Sequence, residues 1–181
     1  MVRISRDAPC YYLTCVAKDR LPVFQTNQIK AIVANAFNEA RRSANILIFA
    51  YVIMPDHVHL ITDGARLPKE VLRFINGIAA RRVIDYLKEK AYASSLEKLR
   101  QEVKSRQYQY SLWEHHSNAF LILSEAMFME KVNYIHLNPV RAGLVESAPD
   151  YLYSSARIWQ RRALEDEPLA VDIEKIDWRR A

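Results

Sequence analysis

Hydrophobic residues follow two different periods along the chain, and the two alternate. Short apolar runs rich in β-branched and aromatic residues occupy 10–17, 46–54 and 119–123, a composition that predicts strands. Apolar residues recur every three or four positions over 27–44 and again over about 67–91, which predicts two amphipathic helices. A short helix is possible within the polar stretch 92–111. The pattern therefore predicts a domain that mixes helices with strands.

A further helix is predicted after Ser124, a residue type that caps helix N-termini. Its apolar stripe is Phe128, Val132 and Ile135. The neighbouring stripe carries a phenol and an amide one turn apart, and its members are Met127, Lys131, Tyr134 and Asn138. This helix therefore presents polar chemistry beside its buried side.

Two histidines separated by one residue follow a break at Pro55-Asp56. Side chains alternate along a strand, so His57 and His59 share one face, with Cα atoms roughly 6–7 Å apart, while Val58 and Leu60 share the other. Two imidazoles on one rigid face can share a metal ion. On this motif alone, a half-buried strand that carries two histidines without a ligand role is the more common case.

The order strand, helix, strand, strand, helix, strand predicts an α+β fold of the split βαβ (ferredoxin-like) type. The sheet is antiparallel, and its first and third strands are central. If the first two helices cover the face of Val58 and Leu60, the Tyr134 helix lies on the histidine face. We expect one domain over 1–157, followed by a basic C-terminal appendage over 158–181 that is packed on or flexible.

Composition limits the possible functions. No apolar stretch reaches the length of a membrane helix and the start has no signal-peptide core, so we expect a soluble, cytoplasmic protein without a membrane partner. The two cysteines, Cys10 and Cys15, have no metal-ligand spacing and are interpreted as reduced core residues.

Positive charge is concentrated in one region. The net charge is +5, whereas residues 64–106 alone hold eleven Lys or Arg against five Asp or Glu. Such a surface suits a polyanion, although a solvated helix face of mixed charge is the simpler alternative. The candidate nucleic-acid contacts are Arg73, Arg81, Arg82, Lys88 and Lys131, with Tyr108, Tyr110 and Trp113 as candidate stacking residues.

Three blocks of the sequence together resemble the single-tyrosine HUH transposases, and most closely the REP-associated tyrosine transposases. The blocks are 54–59 (MPDHVH), 134–144 (YIHLNPVRAGL) and 153–156 (YSSA). The resemblance spans roughly residues 10–157.

The resemblance implies a function and a site. Tyr134 would be the nucleophile that becomes joined to a 5′-phosphate, and His57, His59 and Asn138 would bind Mg²⁺ or Mn²⁺. Asn138 takes a position where relatives among the insertion-sequence enzymes carry glutamine. The implied substrate is single-stranded DNA with a hairpin repeat, cut and rejoined by a monomer or homodimer. A binding module for structured nucleic acid that does not cleave is the alternative.

Other polar residues near these blocks are assigned no catalytic or ligand role. His115 and His116 are adjacent, hence on opposite faces, and His136 projects away from the Tyr134 stripe, so none is assigned a ligand role. Asp63 is expected to be solvated or to cap a helix. Tyr12 is expected to be a core or boundary residue.

Overall fold

The computed structural model describes residues 1–101, 109–114 and 118–178. Thr26 and Ser124 cap the first and fourth helices, because their side-chain oxygens accept the N–H groups of Ile29 and Met127. The elements, in chain order, are β1 (Cys10–Val16), α1 (Asn27–Ala44), β2 (Ile48–Ile53), β3 (His57–Asp63), α2 (Pro68–Glu89), α3 (Ala93–Leu99), β4 (Asn118–Ile122), α4 (Glu125–Arg141) and α5 (Ala156–Trp159).

The four strands form one antiparallel sheet in the order β2-β3-β1-β4. The predicted central position of the first and third strands is confirmed. The register places Thr14 opposite His59 and Tyr12 opposite Ile61, so side chains from β1 share a face with the histidines of β3. This pairing decides which residues can surround the histidine pair.

The two faces of the sheet are covered by different helices, as predicted. Leu13, Val58 and Leu60 are fully buried on the face covered by α1 and α2. The other face meets α4, whose Tyr134 ring lies 5.6 Å from the ring of His59. The α+β prediction is therefore confirmed, and the histidines and the Tyr134 helix share one side.

The outer edge of β2 is closed by the chain that follows α4. Ile53 N–H donates to Tyr153 O at 2.9 Å, and Ser155 N–H donates to Tyr51 O at 3.0 Å. These bonds satisfy an edge that would otherwise offer free backbone groups. The predicted block at 153–156 thus has a structural role beside β2.

Residues 158–178 pack on the same core. Leu169 and Ile176 are buried, and the carboxylate of Asp172 pairs with Arg41 of α1. The pair Arg179-Arg180 lies outside the described residues. In the described part of the chain, no helix combines the length and apolarity needed to cross a membrane.

Candidate active site

The two histidines of β3 lie together on the α4 face, with ring centroids 4.8 Å apart. His57 Nδ1 is 2.6 Å from Asp56 Oδ1, and His59 Nδ1 is 2.8 Å from the hydroxyl oxygen of Tyr12. Thr14 Oγ1 also lies 3.0 Å from His59 Nδ1. The ionised Asp56 carboxylate can only accept, so it favours the His57 tautomer whose Nε2 carries the lone pair. The hydroxyls of Tyr12 and Thr14 can accept from Nδ1 of His59, an arrangement that leaves its Nε2 free for a ligand in the same way.

Burial keeps His59 neutral. Its side chain is almost enclosed, and desolvation, helped by the nearby His57 ring, lowers its pKa from 6.5 to about 3. A neutral imidazole is the form that binds a metal ion. Within the described residues, no group of three or more His, Cys, Asp or Glu side chains is placed to hold a metal ion.

Tyr134 stands above this pair on α4. Its side chain is 40 % exposed, and its ring meets His59 and Tyr12 edge to face, with centroids 5.6 and 6.2 Å apart. The buried side of the helix is held by Phe128, Val132 and Ile135. The predicted apolar stripe therefore fixes the rotation of α4 that brings Tyr134 to the histidines.

Asn138 lies one turn beyond Tyr134. Its Nδ2 donates to the carbonyl oxygen of Tyr134 at 2.9 Å. That bond engages the amino group of the amide and leaves Oδ1 as the atom suited to a metal ion. The helix continues through Pro139 to Arg141, so Asn138 keeps its place on the Tyr134 stripe.

The end of α4 is fixed by a glycine that adopts positive φ. Gly143 has φ of 68°, and its N–H donates to Val140 O at 2.9 Å. Leu144 N–H donates to Pro139 O, also at 2.9 Å, which completes a Schellman motif. This motif holds the last turn, which carries Arg141, in a defined position.

Arg141 is a site residue that the sequence analysis did not select. Its Cζ lies 5.2 Å from the centroid of the Tyr134 ring. A signal existed, since positions 134 and 141 are two turns apart on one helix and lie on nearly the same face. A cation therefore lies directly beside the candidate nucleophile.

Tyr12 was expected to be a core or boundary residue, and it is half-buried against the core, but the structure also places it beside the histidines. Its ring stacks on His59 with centroids 5.3 Å apart, and burial raises the pKa of its hydroxyl to about 12. Lys131 extends over the rings of Tyr12 and Phe120, at 5.8 and 5.3 Å. Lys131, a predicted DNA contact, therefore lies within one turn of Tyr134 on the same face.

Most of the other predicted DNA contacts lie elsewhere. A cleft of about 860 Å³ between α2 and residues 109–113 is lined by Arg73, Arg81, Lys88, Tyr110 and Trp113. Lys88 Nζ lies 5.3 Å from the Tyr110 ring centroid. Because α2 covers the opposite face of the sheet, this basic cleft and Tyr134 are on different sides of the molecule. The predicted stacking residue Tyr108 lies outside the described residues.

Trp113 and Arg82, the other two candidate contacts, each have a partner within the protein. Trp113 is 8 % exposed, packs on Phe24 and donates its indole N–H to Asn76 O at 3.0 Å, so its ring is a wall of the cleft rather than an open stacking platform. Arg82 pairs with Glu39 of α1 at 2.9 Å, because it projects toward α1 and away from the cleft.

The structure tests the predictions for two residues that were assigned no role in the site, Asp63 and His136. Asp63 was expected to be solvated or to cap a helix, and that is wrong, because it is buried and its Oδ1 accepts the Leu47 N–H at 2.9 Å. Burial raises the pKa of this carboxyl. His136 does point away from Tyr134, toward Ser155 Oγ at 2.8 Å. His115 and His116 lie outside the described residues.

Comparison with known proteins adds independent information. The family model described as IS200-like transposase matches residues 8–136. A Haemophilus influenzae protein named "Putative REP-associated tyrosine transposase" is 30 % identical over 152 residues, which cover 80 % of this chain and 78 % of that protein.

A solved structure shares the fold. Described as a REP-associated tyrosine transposase bound to a REP hairpin, it matches with a TM-score of 0.62 at 20 % identity, covering 91 % of this chain and 87 % of that one. The family model covers most of the chain, including both histidines and Tyr134. The chain therefore belongs to the family of IS200-like transposases.

Proposed function

We propose that this transposase-family protein is a metal-dependent endonuclease and strand transferase that acts on single-stranded DNA through a 5′-phosphotyrosine intermediate. The observation that carries the proposal is the contact of the half-exposed Tyr134 ring with His59, one of two neighbouring histidines whose Nδ1 atoms are both engaged. A hydroxyl beside two available imidazole nitrogens is the arrangement that covalent phosphoryl chemistry requires.

His57, His59 and Asn138 are the residues that would hold the metal. Their donor atoms, two imidazole nitrogens and an amide oxygen, suit Mg²⁺ or Mn²⁺ without excluding other divalent ions. When bound, such an ion polarises the scissile phosphate and orients it for attack. Asp56 supports His57, and Tyr12 with Thr14 supports His59, so both rings keep one orientation.

Tyr134 supplies the attacking oxygen. Its Oη forms a bond to phosphorus while the bond from phosphorus to the 3′ oxygen breaks, and the phenolic proton passes to water as the 3′ oxygen takes one up. Arg141, beside the Tyr134 ring, would neutralise charge on the non-bridging oxygens. The reverse attack by a 3′-hydroxyl frees Tyr134 and rejoins the strand.

The proposed substrate is a single strand that carries a hairpin repeat. Support comes from the relatives, one named as REP-associated and one described as bound to a REP hairpin. It also comes from positive charge on both faces of the sheet. Lys131 lies over Tyr12, one turn from Tyr134, and on the opposite face Arg73, Arg81 and Lys88 line a cleft with Tyr110. These residues are the proposed DNA contacts, and Trp113 supports the cleft wall.

A non-cleaving binding module is the second candidate. It is favoured by one observation, which is that the basic cleft lies on the face opposite Tyr134 and could bind nucleic acid without the histidine site. Such a protein would bind hairpin DNA equally well with or without an intact Tyr134.

A denaturing gel separates the two candidates. Mixed with a labelled single-stranded hairpin repeat and Mn²⁺, the protein should yield a species that survives denaturant and carries the downstream fragment. Tyr134→Phe keeps the ring but lacks the attacking oxygen, so the species and the nick should vanish while binding persists. Tyr92→Phe is the matched control, because Tyr92 is exposed and does not line the basic cleft, and it should still form the species. If the unmodified protein forms no adduct with any of a set of different hairpin repeats, the result would favour the binding module.

A further inference from the structure

Gly77 occupies the middle of α2, where glycine is unfavourable. The helix runs over Pro68–Glu89, so position 77 is more than two turns from either end, and glycine there exposes backbone and loses conformational entropy. Packing does not require it, because a Cβ built on Gly77 would meet no described atom within 4 Å outside its own helix and chain neighbours. Alanine would fit and would favour the helix.

Gly77 lies where two clefts adjoin. It lines the large cleft beside Tyr110 and also a second cleft of about 380 Å³ that contains Phe74, Ile78 and the Arg82–Glu39 pair. Among the residues that the structure describes, Arg73, Gly77 and Arg81 alone line both clefts. A side chain at position 77 would separate the two clefts, whereas glycine leaves a shallow passage between them.

The two arginines lie on either side of this passage, on the same stripe of the helix. Arg73 and Arg81 are each one turn from Gly77, and both are exposed. Their Cα atoms are about 12 Å apart along the axis, a gap that leaves room for one strand to cross between the two side chains. Cations on both sides of a gap over bare backbone suit a chain of phosphates that crosses the helix there.

We propose that a single strand of nucleic acid crosses α2 over Gly77, between Arg73 and Arg81, and passes from the large cleft into the smaller one. Phe74 and Ile78 form an apolar floor for a base in the smaller cleft, while Lys88 and Tyr110 contact the strand in the larger one. The crossing rests on the proposed DNA function and adds a path on the face opposite Tyr134. In this role Gly77 serves the path of the strand rather than the packing of the helix.

Cysteine footprinting tests the path directly. Cys10 and Cys15 are both buried, and burial raises the pKa of the Cys10 thiol to about 12, so maleimide should react with a cysteine introduced at the surface. Labelling of Gly77→Cys is timed with and without an oligothymidylate probe, which needs no knowledge of the target repeat. At a probe concentration ten times Kd, labelling should slow by about tenfold.

Lys69→Cys is the matched control, since Lys69 is exposed on the first turn of the same helix and lines neither cleft. Its labelling should be unaffected by the probe. Equal protection at both positions, or none at position 77, would overturn the proposed path.

A size series at position 77 separates function from folding. Gly77→Ala should raise the urea midpoint of unfolding while it weakens binding of the probe, and Gly77→Leu should weaken it further, by about tenfold in total. Opposite signs for stability and affinity are the expected result, and unchanged affinity with raised stability would overturn the proposal. If the unmodified protein forms no covalent adduct, that result contradicts the proposed nuclease and not the proposed path.

Discussion

The two faces of the sheet differ in how their polar groups are held. On the α4 face, each histidine has a partner at Nδ1, and Tyr134 is set by a helix anchored at both ends. On the α2 side, Arg73 and Arg81 are exposed and line a broad cleft. Fixed orientation suits chemistry at one atom, whereas exposed cations suit a flexible polyanion.

This difference predicts that the two faces can be disabled separately. The largest effect is expected for His57→Ala and His59→Ala, each of which should abolish Mn²⁺-dependent nicking, because each removes a proposed ligand. Val58 and Leu60 are untouched, so the fold should persist. Binding of the oligothymidylate probe should change less than twofold or so, since phosphate contacts carry that affinity. Nicking that continues in chelator would remove the metal from the mechanism.

Arg141→Gln should cause the next largest loss. Adduct formation under single turnover should slow by about 100-fold, because a charge beside the developing phosphorane oxygens is lost. Arg141→Lys should recover part of the rate, as it restores charge without the planar contact on Tyr134. A methylphosphonate at the scissile position removes the charge from the substrate, so the variant should then lose little. An equal deficit on both substrates would indicate a packing role.

Tyr12→Phe should have a smaller effect. It keeps the stacking on His59 and removes the hydroxyl near Nδ1, so Mn²⁺ affinity measured by calorimetry should fall by about tenfold. Tyr11→Phe is the control, because Tyr11 points to the other face of the same strand. Equal affinities in the two variants would mean that Thr14 alone orients His59.

The smallest effect is expected on the α2 side. Lys88→Gln should weaken probe binding several-fold and reduce the slope of log K against log salt by about 0.7, the value for one phosphate contact on a single strand. Nicking at saturating substrate should be unchanged. A slope equal to that of the unmodified protein would exclude a phosphate contact by Lys88.

The sequence was sufficient for parts of the site that depend on local periodicity. Alternation along β3 and the helical stripe of α4 place His57, His59, Tyr134 and Asn138 correctly on one side. Tyr12 and Thr14 were missed because their proximity to His59 depends on the register between β1 and β3. In the sequence, both residues are more than forty positions from His59.

Long-range packing also explains the errors on the other polar residues. Asp63 is buried where it accepts the N–H of Leu47. Trp113 is buried where it packs on Phe24 and donates its indole N–H to α2. Neither contact has a local signature in the sequence. The basic surplus over 64–106 was real, but composition alone could not reveal that the sheet separates it from Tyr134.

Peptide mapping of the covalent species tests the central claim most directly. After nuclease and trypsin digestion, the account predicts a nucleotide joined through its 5′-phosphate to the peptide 132–141 (VNYIHLNPVR), in which Tyr134 is the single tyrosine. The same mass added to a peptide that contains Tyr12, Tyr110, Tyr151 or Tyr153, or a nucleotide joined through a 3′-phosphate, would contradict it.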